Sequence, residues 1–126
     1  MRPTAVLLVG LGGFFGSIAR YAVGTAVSRL LGTAWPWGTF LINVTGCFAI
    51  GFFLTFTTER VTVDEAWRFL FPIGFVGAYT TFSTYSYETV RLLEGGAWGR
   101  ALSYVALSTM VGFGAVALAI YTARRF

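Results

Sequence analysis

The chain has no histidine, no lysine, one cysteine, three prolines and only five acidic residues in 126 positions. Without histidine, a Ser–His–Asp triad and a Cys/His metal site are both excluded. No pair of carboxylates falls inside an apolar segment, so acid–base machinery for an enzyme is missing as well. The lone Cys47 rules out an internal disulfide and reads as a small packing hydrophobe. All nine cations are arginines, dispersed along the chain, and no patch forms that would follow a phosphate backbone. Nucleic acid is therefore not an expected partner.

What the chain has is apolar surface. Hydrophobic residues make up 56% and charged residues 11%, against about one quarter charged in a soluble domain. The mean hydropathy is +0.73. This is the composition of an integral membrane protein, and at this length one domain is expected, with lipid covering most of the apolar surface. Four apolar stretches fall at about residues 4–30, 37–58, 67–93 and 97–123, each near the roughly 20 residues a bilayer crossing needs. Short breaks separate them, "GTAWPW", "TERVTVDEAWR" and "LEGGAWGR", with tryptophans at interfacial positions. Lipid demands that backbone polar groups be satisfied within each segment, and the alternating ten-residue strands of a barrel are missing, so the fold class is all-α. The first stretch lacks a small-residue cleavage site and is too long for a signal-peptide core, so it is expected to be retained.

With four spans, one membrane face receives Arg2, Arg60, Arg68, Arg124 and Arg125, and the other Arg29, Arg91 and Arg100. This is a weak bias by the positive-inside rule. It is compatible with insertion in both orientations as an antiparallel dimer and equally with a single orientation.

Two apparent motifs dissolve on inspection. "GLGGFFG" at 10–16 lacks the final glycine of a dinucleotide loop and follows no strand. Gly12 and Gly16 read instead as a close helix-packing face. "NVT" at 43–45 matches a glycosylation acceptor but lies within a span.

Polar residues at membrane depth are costly and therefore functional by default. Asn43 lies mid-span with Thr39 one turn before it and Gly46 three residues after, which gives the second span one polar, close-packing stripe. It is read either as a functional donor or as an interhelical hydrogen bond. Arg20 either snorkels to the interface or offers positive charge to an entering anion. Tyr104 and Ser108, four apart, suit a pore wall or ordinary interhelical bonds. Glu88 has no assigned role.

The third stretch carries "GAYTTFSTYSYE" at 77–88, eight hydroxyl residues in twelve positions. Gly74, Gly77 and consecutive hydroxyl side chains are poor material for an unbroken helix, so an interruption is expected near residues 77–80. Non-helical backbone at that depth must be buried in protein or line a polar cavity, and its freed carbonyls are ligands for a hard cation. Beyond it, Phe82 and Tyr85 share one face and Thr81, Thr84 and Glu88 another. Aromatic rings have positive edges, so Phe82 and Tyr85 beside an amide donor suit a small anion, or they simply pack.

Three segments, "GGFFGSIARY", "WPWGTFLINVTGCFAIG" and above all "GFVGAYTTFSTYSYE", together resemble the small fluoride channels called Fluc or CrcB, and the likeness covers nearly the whole chain. The resemblance implies four transmembrane helices per subunit with a broken third, an antiparallel dual-topology homodimer in the cell inner (plasma) membrane, and two pores. It implies passive fluoride efflux that protects the cell from fluoride. Position by position, it implies Asn43 as the pore amide, Phe82 with Tyr85 as the ring box, and Thr39, Ser83, Thr84, Tyr104 and Ser108 as a polar track. It further implies Arg20 in the vestibule and Gly77 and Thr80 as backbone-carbonyl ligands of a structural sodium ion. Tyr85 departs from the family's usual phenylalanine, and Gly112 supplies no hydroxyl beyond Ser108. Two rival classes remain at this point. A small multidrug exporter has four spans but needs a membrane-embedded carboxylate, for which Glu88 is the one candidate; an assembly subunit would leave the hydroxyl-rich stretch unexplained.

Overall fold

The computed structural model describes residues Met1–Phe126, and every regular element in it is helical. Helix α1 spans Pro3–Leu31, with proline in the first turn, where its missing N–H costs nothing. It stops at Gly32, whose φ of 79° favours glycine and whose amide still reaches Ser28 O. Helix α2 spans Trp37–Thr55 and continues as a wider π-turn through Phe56–Arg60. Helix α3 covers residues 66–79, of which Phe69–Val76 are π-helical around Pro72. A proline within a helix deletes one rung of the hydrogen-bond ladder, and a wider winding accommodates its ring. Helix α4 is Phe82–Glu94 and α5 is Trp98–Arg125. Three helical stretches are individually long and apolar enough to cross a membrane: Pro3–Leu31, Trp37–Arg60 and Trp98–Arg125. Neither α3 nor α4 reaches that length alone.

Polar contacts show which helix ends lie together. Arg2 pairs with Glu65 at 2.6 Å, and Arg124 holds Glu59 through Nε and Nη2 at 2.8 and 2.9 Å. At the opposite end Trp35 Nε1 donates to Ser103 Oγ at 3.0 Å. Exposed ion pairs stabilise little, but these bring the start of α1, the end of α2, the start of α3 and the end of α5 to one end of the bundle. Successive crossings therefore run in opposite directions.

Small residues make the interior. Only 17 of the 126 residues are buried, and Tyr104 is the one large side chain among those fully enclosed. Phe14, Phe15, Met110 and Phe113 all face outward, as they do when lipid or another membrane helix is the solvent. As the sequence indicates, Gly12 and Gly16 are buried: a Cβ on either would collide with the backbone of α3 at Leu70 and Phe75. Gly74 returns the contact, its added Cβ meeting Val9 O at 2.8 Å. Gly51 packs α2 on α5 beside Val116 and Ala119.

Helical geometry ends at Tyr79 and resumes at Phe82. Thr80 (φ −79°, ψ 158°) and Thr81 (φ −152°, ψ 114°) are extended. Against the expectation of an interruption at 77–80, Gly77 is helical, with φ −60° and ψ −35°. The reason is local: the Thr80 N–H still closes a turn onto Val76 O at 3.0 Å, whereas the Thr81 N–H is taken by a side chain of another helix.

Candidate functional site

Asn43 and Thr81 form the centre. The Asn43 Nδ2 donates to Thr81 O at 3.1 Å, and Thr81 N donates back to Oδ1 at 2.8 Å. The carboxamide thus replaces both helical partners that the extended residue has lost, and so the interruption keeps its backbone groups satisfied. A carboxamide has two N–H donors and only one is used within the chain. Thr81 in turn caps α4: its hydroxyl accepts from Thr84 N at 3.2 Å, donates to Thr84 Oγ1 at 3.0 Å and lies 3.3 Å from Ser83 Oγ. Thr80 bends its own hydroxyl back to Val76 O at 2.9 Å. The Thr80 carbonyl, freed by the extended ψ, has one partner, Arg20 Nη1 at 3.4 Å.

A second constellation gathers on Glu88. Thr39 Oγ1 donates to Oε1 at 2.8 Å and Tyr104 OH donates to Oε2 at 2.7 Å. Both carboxylate oxygens are held, from α2 on one side and α5 on the other. Aromatic rings connect this carboxylate to the interruption. The Phe82 and Tyr85 ring centroids are 5.7 Å apart, and Tyr85 meets Tyr104 edge-on at 5.1 Å. Trp35 closes on Tyr104 from the other side at 5.2 Å. Phe82 is 78% exposed on the outer face of the bundle, and the Tyr85 hydroxyl has no partner within the chain.

Two grooves meet at the extended residues. One, of about 460 Å³, is lined by Ser17, Arg20, Thr39, Thr81 and Thr84 among others; the other, of about 260 Å³, by Asn43, Gly46, Cys47, Thr80, Thr81 and Phe82. Thr81 belongs to both. The arrangement offers N–H and O–H donors and positive ring edges to a small anion, one guanidinium at the mouth, and no cluster of three metal-ligating side chains.

Of the residues singled out from sequence, Asn43, Thr80 and Phe82 come together in one groove and Arg20, Thr39 and Thr84 in the other. Ser83 and Thr84 join the Thr81 cap, and Tyr85 and Tyr104 meet edge to face between the groups. Gly77 contributes helical backbone and no side chain. Ser108 stands apart, its Oγ buried without a hydrogen-bond partner. Sequence alone assigns Glu88 no role in a channel and reads Trp35 only as an interfacial anchor. The available signal for Glu88 was that it is the only acid between Glu65 and Glu94.

The family profile described as CrcB-like protein, Camphor Resistance (CrcB), matches residues 7–120. The chain belongs to the CrcB family. Every site residue described above lies within the matched segment of this CrcB-family chain. Among its relatives, the fluoride-specific ion channel FluC of Koribacter versatilis is 47% identical over 120 residues, covering 90% of this chain and 95% of the relative. That of Acidobacterium capsulatum is 48% identical over 119 residues, covering 94% and 95%. The protein of the same name from Chloroflexus aurantiacus is 40% identical over 121 residues, covering 96% of each.

Proposed function

We propose that the chain is a fluoride-selective passive channel of the cell inner membrane, which lets fluoride leave the cytoplasm and so protects the cell. The observation that carries this reading is the clamp of Asn43 on Thr81, an interrupted membrane helix held open by an amide that keeps one N–H to spare. The name shared by near-full-length relatives directs that donor to fluoride. Fluoride is compact and strongly hydrated, so a dry passage must replace its water with donors at close range, and a larger halide gains less from the same geometry.

In this reading the whole chain is a single four-helix transmembrane domain, and α3 and α4 together make the third crossing, broken at Thr80–Thr81. Arg20 attracts the ion, Asn43 donates to it, and Phe82 and Tyr85 present ring edges. Ser83, Thr84, Thr39, Tyr104 and Ser108 form the polar track. The exposed Phe82 is completed by a second, antiparallel copy, so that two pores run through a dual-topology homodimer. A structural sodium ion fits the donor chemistry available at its centre, since carbonyl oxygens are hard ligands. The Thr80 carbonyl is engaged only by the long Arg20 contact and retains a lone pair, and with Gly77 it would hold the ion.

The test is flux. Liposomes containing the purified protein and loaded with potassium fluoride should lose fluoride rapidly to an electrode-monitored bath once valinomycin is added, and should retain chloride in a parallel run. Equal loss of both ions, or of neither, would overturn the proposal.

A further inference from the structure

At the end of the bundle where α2 passes into α3, the loop at residues 61–65 helps to line an open groove of about 510 Å³. Two acids lie on its wall, Glu59 and Glu65, and each is already paired with an arginine from another helix: Glu59 with Arg124 through two hydrogen bonds, Glu65 with Arg2 at 2.6 Å. The two arginines that line the same groove, Arg60 and Arg68, make no salt bridge, although the charge of Arg60 reaches Glu59 through space. The neighbouring hydroxyls of Thr58 and Thr62 have no partner within the chain either. With Glu59 and Glu65 already engaged by Arg124 and Arg2, the guanidinium groups of Arg60 and Arg68 and the hydroxyls of Thr58 and Thr62 leave more donors than acceptors around this groove. Guanidinium forks match phosphate oxygens, and they do so better than an ammonium would.

Depth selects the source of the phosphate. Arg60 closes the membrane-length helical stretch Trp37–Arg60, and Arg68 follows Trp67, which is 54% exposed at the start of α3. An exposed tryptophan at a helix terminus marks the headgroup level. Basic groups at that level attract anionic lipid. We propose that this groove binds the phosphodiester of an anionic phospholipid, with Arg60 and Arg68 as the phosphate clamp and Thr58 and Thr62 as supplementary donors. The site is separate from the Asn43–Thr81 centre and does not depend on what passes there.

The experiment is native mass spectrometry of the detergent-solubilised full chain, titrated with phosphatidylglycerol, with phosphatidylcholine, and with inorganic phosphate. Wild type should retain phosphatidylglycerol at least tenfold more strongly than phosphatidylcholine. Arg60→Gln and Arg68→Gln should each reduce that preference several-fold, and the pair should abolish it. Arg29→Gln/Arg100→Gln, which removes two cations from the opposite end, should leave it intact. Circular dichroism on each variant establishes that the helices persist, and the single variants keep the test open if the double variant fails to fold. An undiminished preference in both single variants, or an equal loss in Arg29→Gln/Arg100→Gln, would overturn the proposal. Retention of inorganic phosphate as strong as that of phosphatidylglycerol would overturn the lipid and leave a site for free anions.

Discussion

Asn43 supplies both hydrogen-bonding partners of a buried extended residue, so its truncation has two separable consequences. Asn43→Ala leaves the Thr81 N–H and carbonyl unsatisfied, and a buried group stranded in this way costs about 1–3 kcal/mol. Asn43→Asp keeps an acceptor for the Thr81 N–H but sets a carboxylate against the Thr81 carbonyl and against an entering anion. Thermal unfolding in detergent should therefore show both variants clearly destabilised, and fluoride efflux should fall at least tenfold in both. Efflux at the wild-type rate in a folded Asn43→Ala would show that the amide N–H serves the backbone alone. Glu88 teaches the complementary lesson. Asn43 was legible because a carboxamide among apolar neighbours is conspicuous at one position in a row of letters. Glu88 was not, because its meaning lies in Thr39 and Tyr104, which come from 49 and 16 residues away and meet only after folding.

At the scale of elements, the interruption is set by packing as much as by the residues that adopt it. Gly46 on α2 lies directly against Thr80, and a Cβ at position 46 would occupy the place of the Thr80 Cγ2 methyl. The glycine therefore lets the extended backbone come close enough for Asn43, one turn earlier, to reach Thr81. Gly46→Ala should push the two helices apart, lower the unfolding temperature and reduce efflux. Thr80→Ser removes that methyl and keeps the hydroxyl that bonds Val76 O, so Gly46→Ala/Thr80→Ser should recover a large part of both losses. Unfolding and efflux measurements on the four members of this cycle check it; a double variant no better than Gly46→Ala would mean that the collision is not what Gly46 avoids. Helices were readable from apolar length alone, and the glycine face of α1 from its spacing. The position of the interruption was read a few residues early, because glycine propensity favours a break at Gly77, while the competition for the Thr81 N–H between a helical carbonyl and the Asn43 side chain moves it to Thr80–Thr81. The wide winding around Pro72 left no signature beyond the proline itself.

For the whole molecule, the question is how the chain inserts. Five arginines lie at one end against three at the other. Orientation is set by such local cation counts near the spans, and five against three is a weak bias. A chain this evenly balanced is expected to insert both ways, which is what an antiparallel pair of identical subunits requires. Arg29→Gln/Arg100→Gln changes the balance to five against one, and Arg2→Gln/Arg125→Gln/Thr33→Lys/Gly99→Lys to three against five. Thr33 and Gly99 are exposed, and a Cβ at Gly99 meets nothing within 4 Å, so the added lysines are sterically free. Tags at both termini should be accessible from both membrane faces in wild type and from one face in each biased variant. Each biased variant expressed alone should fail to protect cells against fluoride, and the two expressed together should restore protection, because only then are subunits of opposite orientation present. Full protection by a biased variant alone, with its tags confirmed on a single face, would show that subunits of one orientation suffice and would sink the antiparallel dimer.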